Sequence, residues 1–100
     1  MTKIVRVRRR YVVTKEDTKK VREIMREKGI KGTVRKGTGS TKYWIYVKTT
    51  DERIIDAIRP LGFYLLFRPN EWDKAFTFEK GSVEVYKVTE NELDKFIRQK

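Results

Sequence analysis

The chain has 100 residues, 38% of them hydrophobic, enough to bury one modest core and too few for two, so a single domain over residues 1–100 is expected. It contains neither cysteine nor histidine, which excludes disulfides, thiolate and imidazole metal sites, and Ser-His or Cys-His nucleophile pairs. The net charge of +11 sits in the first half: residues 1–50 carry 16 Lys and Arg against 4 Asp and Glu, residues 51–100 carry 9 against 10.

That asymmetry points to a polyanionic partner addressed by the N-terminal half. Nucleic acid is favoured over a membrane, because no cationic helix in the pattern has a strongly lipophilic face. The bland alternative is a Lys-, Arg-, Glu-, Val- and Ile-rich composition of the kind common in proteins from hot environments. No apolar run reaches the length of a membrane span and the first residues lack a signal-peptide core, so a soluble cytoplasmic protein without cofactor is the expectation.

Residues 3–13 read as a first strand, with Val5, Val7, Tyr11 and Val13 on one face and Arg6, Arg8 and Arg10 on the other. Arg9 breaks the alternation: either a bulge shifts the register, or the strand outruns its core and Arg9 reaches solvent. Thr14 begins a helix that Gly29 closes, with Asp17 and Glu16 favouring its positive end and Val21, Ile24 and Met25 forming the buried stripe. Ile30–Lys36 is a second strand with Lys31, Thr33 and Arg35 outward, and the loop Gly37-Thr38-Gly39-Ser40 turns it back into a strand over residues 41–49. That loop superficially resembles a phosphate cradle, but it opens no helix and lacks the spacing of one.

The strand around Lys42-Tyr43-Trp44-Ile45-Tyr46-Val47-Lys48 organises the rest. Alternation sends Tyr43, Ile45 and Val47 to one face and Lys42, Trp44, Tyr46 and Lys48 to the other, so one face is suited to a core. The other face carries two large rings bracketed by lysines, a pattern suited to stacking on bases beside phosphates. The competing reading buries both faces and leaves the lysines in water at the strand ends. A short helix over about 51–59 with Ile54, Ile55 and Ile58 inward follows, ended by Pro60 and Gly62. Phe63–Arg68 is then an apolar strand suited to an interior or covered position. After a loop at Pro69–Lys74, a second hairpin is expected around Lys80-Gly81, with Phe76 and Phe78 packing on Val83 and Val85. A last helix opens at the capping-box sequence Thr89-Glu90-Asn91-Glu92 and buries Leu93, Phe96 and Ile97.

The order strand, helix, strand, strand, helix, strand is that of a ferredoxin-like split βαβ sandwich, α+β in class, with a C-terminal β-hairpin and helix as an extension. Helices would cover one sheet face, and the first and third strands would lie side by side at the centre of the other. On that face Arg6, Arg8, Arg10, Lys31, Arg35, Lys42, Trp44, Tyr46 and Lys48 form the candidate nucleic-acid-binding set. Within it, Lys42, Trp44, Tyr46 and Val47 resemble the basic, aromatic, aromatic and valine positions of the third strand in the RNA-recognition-motif class of sheet-face binders. Tyr43 and Ile45 stand where that class prefers small residues, Thr49 replaces a final aromatic, and the first strand has arginines where a stacking ring is expected. The resemblance implies single-stranded RNA or DNA held on the sheet; a flat aromatic face suits a single strand better than a duplex groove.

Two other classes stand beside this reading. Aromatic and Arg-rich faces also serve protein-protein interfaces, including a homodimer, and the nearly neutral second half fits such a role. A metal-independent ribonuclease using Tyr46 with Arg8 and Lys48 is chemically possible, since such groups orient phosphate and stabilise its developing charge. Glu71 and Asp73 flank Trp72 on a loop, where two carboxylates are more often solvated than metal-bound, so no metal site is expected.

Overall fold

The structure is a computed structural model that describes residues 2–89. Five strands and two helices follow in the order β1 (Thr2–Arg10), α1 (Lys15–Lys28), β2 (Thr33–Lys36), β3 (Trp44–Lys48), α2 (Ile54–Ala57), β4 (Phe63–Phe67) and β5 (Phe76–Thr89). The class is α+β and every strand pairing is antiparallel.

Helix α1 starts where local chemistry dictates. Thr14 Oγ1 accepts the Asp17 backbone N–H at 3.2 Å, and Asp17 Oδ2 accepts the Thr14 N–H at 2.8 Å, closing a capping box. Gly29 ends the helix in the left-handed conformation at φ 67°. Asp17 does more than cap: Lys80 Nζ of β5 lies 2.8 Å from its Oδ2, so the first turn of α1 is bonded to the middle of the sheet. Burial alone would raise the Asp17 pKa, but the hydrogen bonds from Lys80 and Thr14 outweigh it and hold the carboxyl below its usual range.

Strand β5 is the spine. Its residues 76–79 pair with β3 on one edge, while β4 pairs with residues 77–80 on the other. β2 extends the sheet beyond β3. Phe76 and Phe78 of β5, Ile45 and Val47 of β3 and Phe63 of β4 form one buried core with Val21 and Met25 of α1, Ile54 of α2 and Ile58, which caps α2. Burying each of these side chains contributes about 1.5–3 kcal/mol, so this layer stabilises the sheet-helix sandwich.

The strand pairing differs from that of the expected ferredoxin-like sandwich. β1 does not lie beside β3. It pairs with residues 81–89 of β5, from Arg10 opposite Gly81 to Thr2 opposite Thr89, as a two-stranded arm about 30 Å long. Lys80 joins the two neighbours, donating its N–H to the Tyr43 carbonyl and accepting from the Tyr11 N–H, so β1 and β3 lie end to end along β5. The register of β1 is unbroken and Arg9 is exposed, because no core lies beneath the arm at that point.

The hairpin expected at Lys80-Gly81 is also absent, since β5 runs straight through those residues. Both keep their ladder bonds, Gly81 donating to the Gly62 carbonyl at 2.9 Å. The glycine serves close packing instead of a turn: a Cβ there would lie 2.5 Å from the Arg9 carbonyl oxygen. β4 pairs with β5 alone among the described strands, so it is not interior; Phe63 is buried while Tyr64 and Phe67 are exposed. α2 is confined to Ile54–Ala57 and passes into a 3-10 turn over Arg59–Leu61, where Pro60 interrupts the α-helical pattern. The expected C-terminal helix lies outside the described residues. Among the described residues no helix is long and apolar enough to cross a membrane.

Candidate nucleic-acid interface

The face of the sheet away from the helices is built by alternation on β3 and β5. With Ile45, Val47, Phe76 and Phe78 turned to the core, Trp44, Tyr46, Thr77 and Glu79 turn the other way, and the register sets Trp44 opposite Glu79 and Tyr46 opposite Thr77. Arg35 of β2 faces Tyr46, and Tyr64 of β4 faces Glu79. A bulge in β4 between Leu65 and Phe67 sets Phe67 opposite Thr77. Without that extra residue Phe67 would point to the core; with it, the ring stands edge-on to Trp44, centroids 6.2 Å apart at 72°.

The rings therefore have two roles. Thr77 and Glu79 are buried although they lie on the side away from the helices, because Trp44, Tyr46 and Phe67 roof them. Glu79 is the anchor of this layer: one carboxylate oxygen accepts the Trp44 indole N–H at 3.2 Å and the other pairs with Arg8 at 2.8 Å. This ties the indole to Glu79 while leaving it partly exposed. Tyr46, also partly exposed, carries the Arg35 guanidinium 4.7 Å above its ring.

The nine candidate residues are distributed more widely than a flat central patch. Arg35, Trp44, Tyr46 and Lys48 come together on β2 and β3, and Arg8 reaches them from the arm through Glu79. Arg6 stands farther out on the arm, opposite Val85. Arg10 and Lys42 converge on Tyr43, their charged atoms 4.6 and 5.3 Å from its ring centre. Tyr43 is thus a partly exposed cation-covered ring preceding β3, and not the core residue that alternation assigns. Lys31 precedes β2 and lines a cleft with Lys48, its carbonyl accepting from Thr49 Oγ1 at 2.6 Å. Of the trio Tyr46, Arg8 and Lys48, Arg8 is paired with Glu79 and Tyr46 lies beneath the Arg35 guanidinium.

Glu79, Phe67 and Tyr64 share this face with the nine candidates although the sequence pattern does not single them out. Alternation from Phe76 and Phe78 does assign Glu79 to this face, but Lys80-Gly81 beside it has the composition of a turn; the bulge that presents Phe67 has no sequence mark. Trp72 is the other omission, standing almost wholly in solvent at 92% exposure on the loop between β4 and β5.

No family model, curated protein or solved structure matches this chain. The resemblance to RNA-recognition motifs consequently rests on the β3 residues themselves. Its implied pairing of the first and third strands is not observed, since β5 occupies the place beside β3.

Proposed function

We propose that this protein binds single-stranded RNA or DNA on the face formed by β2, β3, β4 and the arm, stacking bases on Trp44 and Tyr46 and neutralising phosphates with Arg6, Arg8, Arg10, Lys31, Arg35, Lys42 and Lys48. The observation that carries this reading is the Arg35-Tyr46 and Trp44-Phe67 layer: partly exposed rings on the outer side of the sheet, each beside a cation or a second ring. Base-aromatic stacking contributes about 1–3 kcal/mol per base without demanding sequence, and a flanking guanidinium both stacks and neutralises.

A salt series tests it. Binding of a labelled single-stranded oligonucleotide, followed by anisotropy, is expected to weaken linearly in log-log form with a slope near −0.7 per phosphate contacted. Replacing Arg35 and Lys48 by Gln is expected to make that slope shallower by about 1.4, whereas replacing Lys19 and Lys20 on the outer face of α1 leaves it nearly unchanged. Equal effects from both pairs would mean that the charge acts without a site.

A protein-protein interface, including a homodimer, is the second reading. It is favoured by Ile4, Val83 and Val85, exposed on the arm. Salt-insensitive self-association with no oligonucleotide binding would select it.

A further inference from the structure

Trp72 has no part in the core, and its surroundings fit a ligand better than a solvent-filled loop. The loop is held by its own polar groups: Asn70 Oδ1 accepts the backbone N–H of Trp72 at 2.7 Å and of Asp73 at 2.8 Å, the Asn70 N–H donates to the Asp73 carbonyl at 2.7 Å, and Asp73 Oδ1 accepts from Ala75 at 3.0 Å. Four bonds in six residues fix the backbone that presents the indole. Holding a large ring in water in this way contributes nothing to folding, since the hydrophobic gain requires burial.

Trp72 lines a cleft of about 520 Å³ together with Arg35, Tyr46 and Lys48 of β2 and β3 and with Asp73 and Lys74 of its own loop. This volume falls within the range of small-ligand sites. Lys48 and Lys74 also line a neighbouring cleft of about 780 Å³, together with Lys31 and Arg68. The two spaces therefore share a cationic wall. One is lined by two aromatic residues, Trp72 and Tyr46; the other adds Lys31, the ion-paired Arg68 and Glu52, and the hydroxyl residues Thr49 and Thr50.

We propose that the Trp72 cleft takes one unpaired nucleobase, stacked on Trp72 and facing the Arg35-Tyr46 pair, with the adjoining phosphate running past Lys48 and Lys74 into the neighbouring cleft. The inference rests on the single-strand binding proposed above and deepens it, adding a base subsite at the β2 side of the sheet. The occupant is a base and not an apolar peptide side chain because Arg35, Lys48 and Lys74 outnumber the one carboxylate, Asp73, in the lining. The loop makes the subsite selective for a single strand, since a base held between two elements has left its duplex partner.

The test compares the parent with Trp72→Ala and Trp72→Phe on two probes: a thymidine decamer and a decamer of the same sugar-phosphate backbone without bases. Because Trp72 is exposed, both variants are expected to keep the parent's melting temperature. Trp72→Ala should weaken binding of the thymidine decamer by about tenfold, Trp72→Phe by less than about threefold, and neither should change the weak, salt-dependent binding of the abasic decamer. If Trp72→Ala binds the thymidine decamer as the parent does, the subsite is refuted while the sheet-face reading stands. Equal parental binding of the two decamers also refutes it, by showing that phosphates alone are held. If the parent binds neither probe at about 50 mM salt, where phosphate contacts are strong, both readings fall.

Discussion

Glu79 is the residue on which the exposed face most depends. Replacing it with Ala removes the acceptor of the Trp44 indole N–H and the partner of Arg8. A hydrogen bond to a charged group contributes about 1.5–3 kcal/mol, whereas the ion pair to Arg8, whose side chain is 56% exposed, contributes at most about 1 kcal/mol. Part of this is offset because a buried carboxylate no longer has to be desolvated. A net loss of about 2 kcal/mol is expected for Glu79→Ala, equivalent to a fall in Tm of roughly 8–16 °C for a chain of this size. Glu79→Gln keeps a carbonyl oxygen for the indole and should lose less than about 1 kcal/mol. Urea unfolding followed by circular dichroism measures both. A double-mutant cycle with Trp44→Phe, which has no N–H, should return a coupling of about 1–2 kcal/mol. If Glu79→Gln destabilises as much as Glu79→Ala, or the cycle couples by less than about 0.3 kcal/mol, the carboxylate does not organise the ring layer.

Other perturbations separate the sheet's parts. Phe78→Ala empties the fully buried centre of β5 and should cost about 3–5 kcal/mol by urea unfolding, a large share of the roughly 5–15 kcal/mol that holds an ordinary domain folded. Gly81→Ala forces a Cβ against the Arg9 carbonyl and is expected to cost about 1–3 kcal/mol, with amide exchange accelerating first in β1. The lowered pKa of Asp17 sets an acid limit. Its contribution is complete above the unfolded value near 3.8 and is lost as pH falls through the lower folded value, so Asp17→Asn should flatten the stability-pH curve in that acidic window.

How far the sequence discloses this molecule depends on the range of each interaction. The limits of α1 are local chemistry, Thr14 with Asp17 at one end and Gly29 at the other, and they are legible. So are the two faces of β3, because alternation requires only neighbours. The course of β5 is not. Lys80-Gly81 carries the composition of a turn, and only the approach of Arg9, more than seventy residues earlier, explains why a glycine stands inside a strand. The pairing of β1 with the far half of β5 is likewise non-local, and it moves the arginines from the centre of the sheet to an arm. Phe67 reaches the exposed face through a bulge, and Trp72 through an asparagine-held loop, two backbone devices that periodicity does not register.

Amide and indole N–H resonances offer the most direct test of the central claim. On titration of the isotopically labelled protein with a thymidine decamer, the largest shifts should fall on β2, β3, the loop around Trp72 and the two tryptophan indoles, leaving the outer face of α1 unmoved. Shifts concentrated on α1, or spread evenly over every basic surface, would contradict a binding site on the aromatic face.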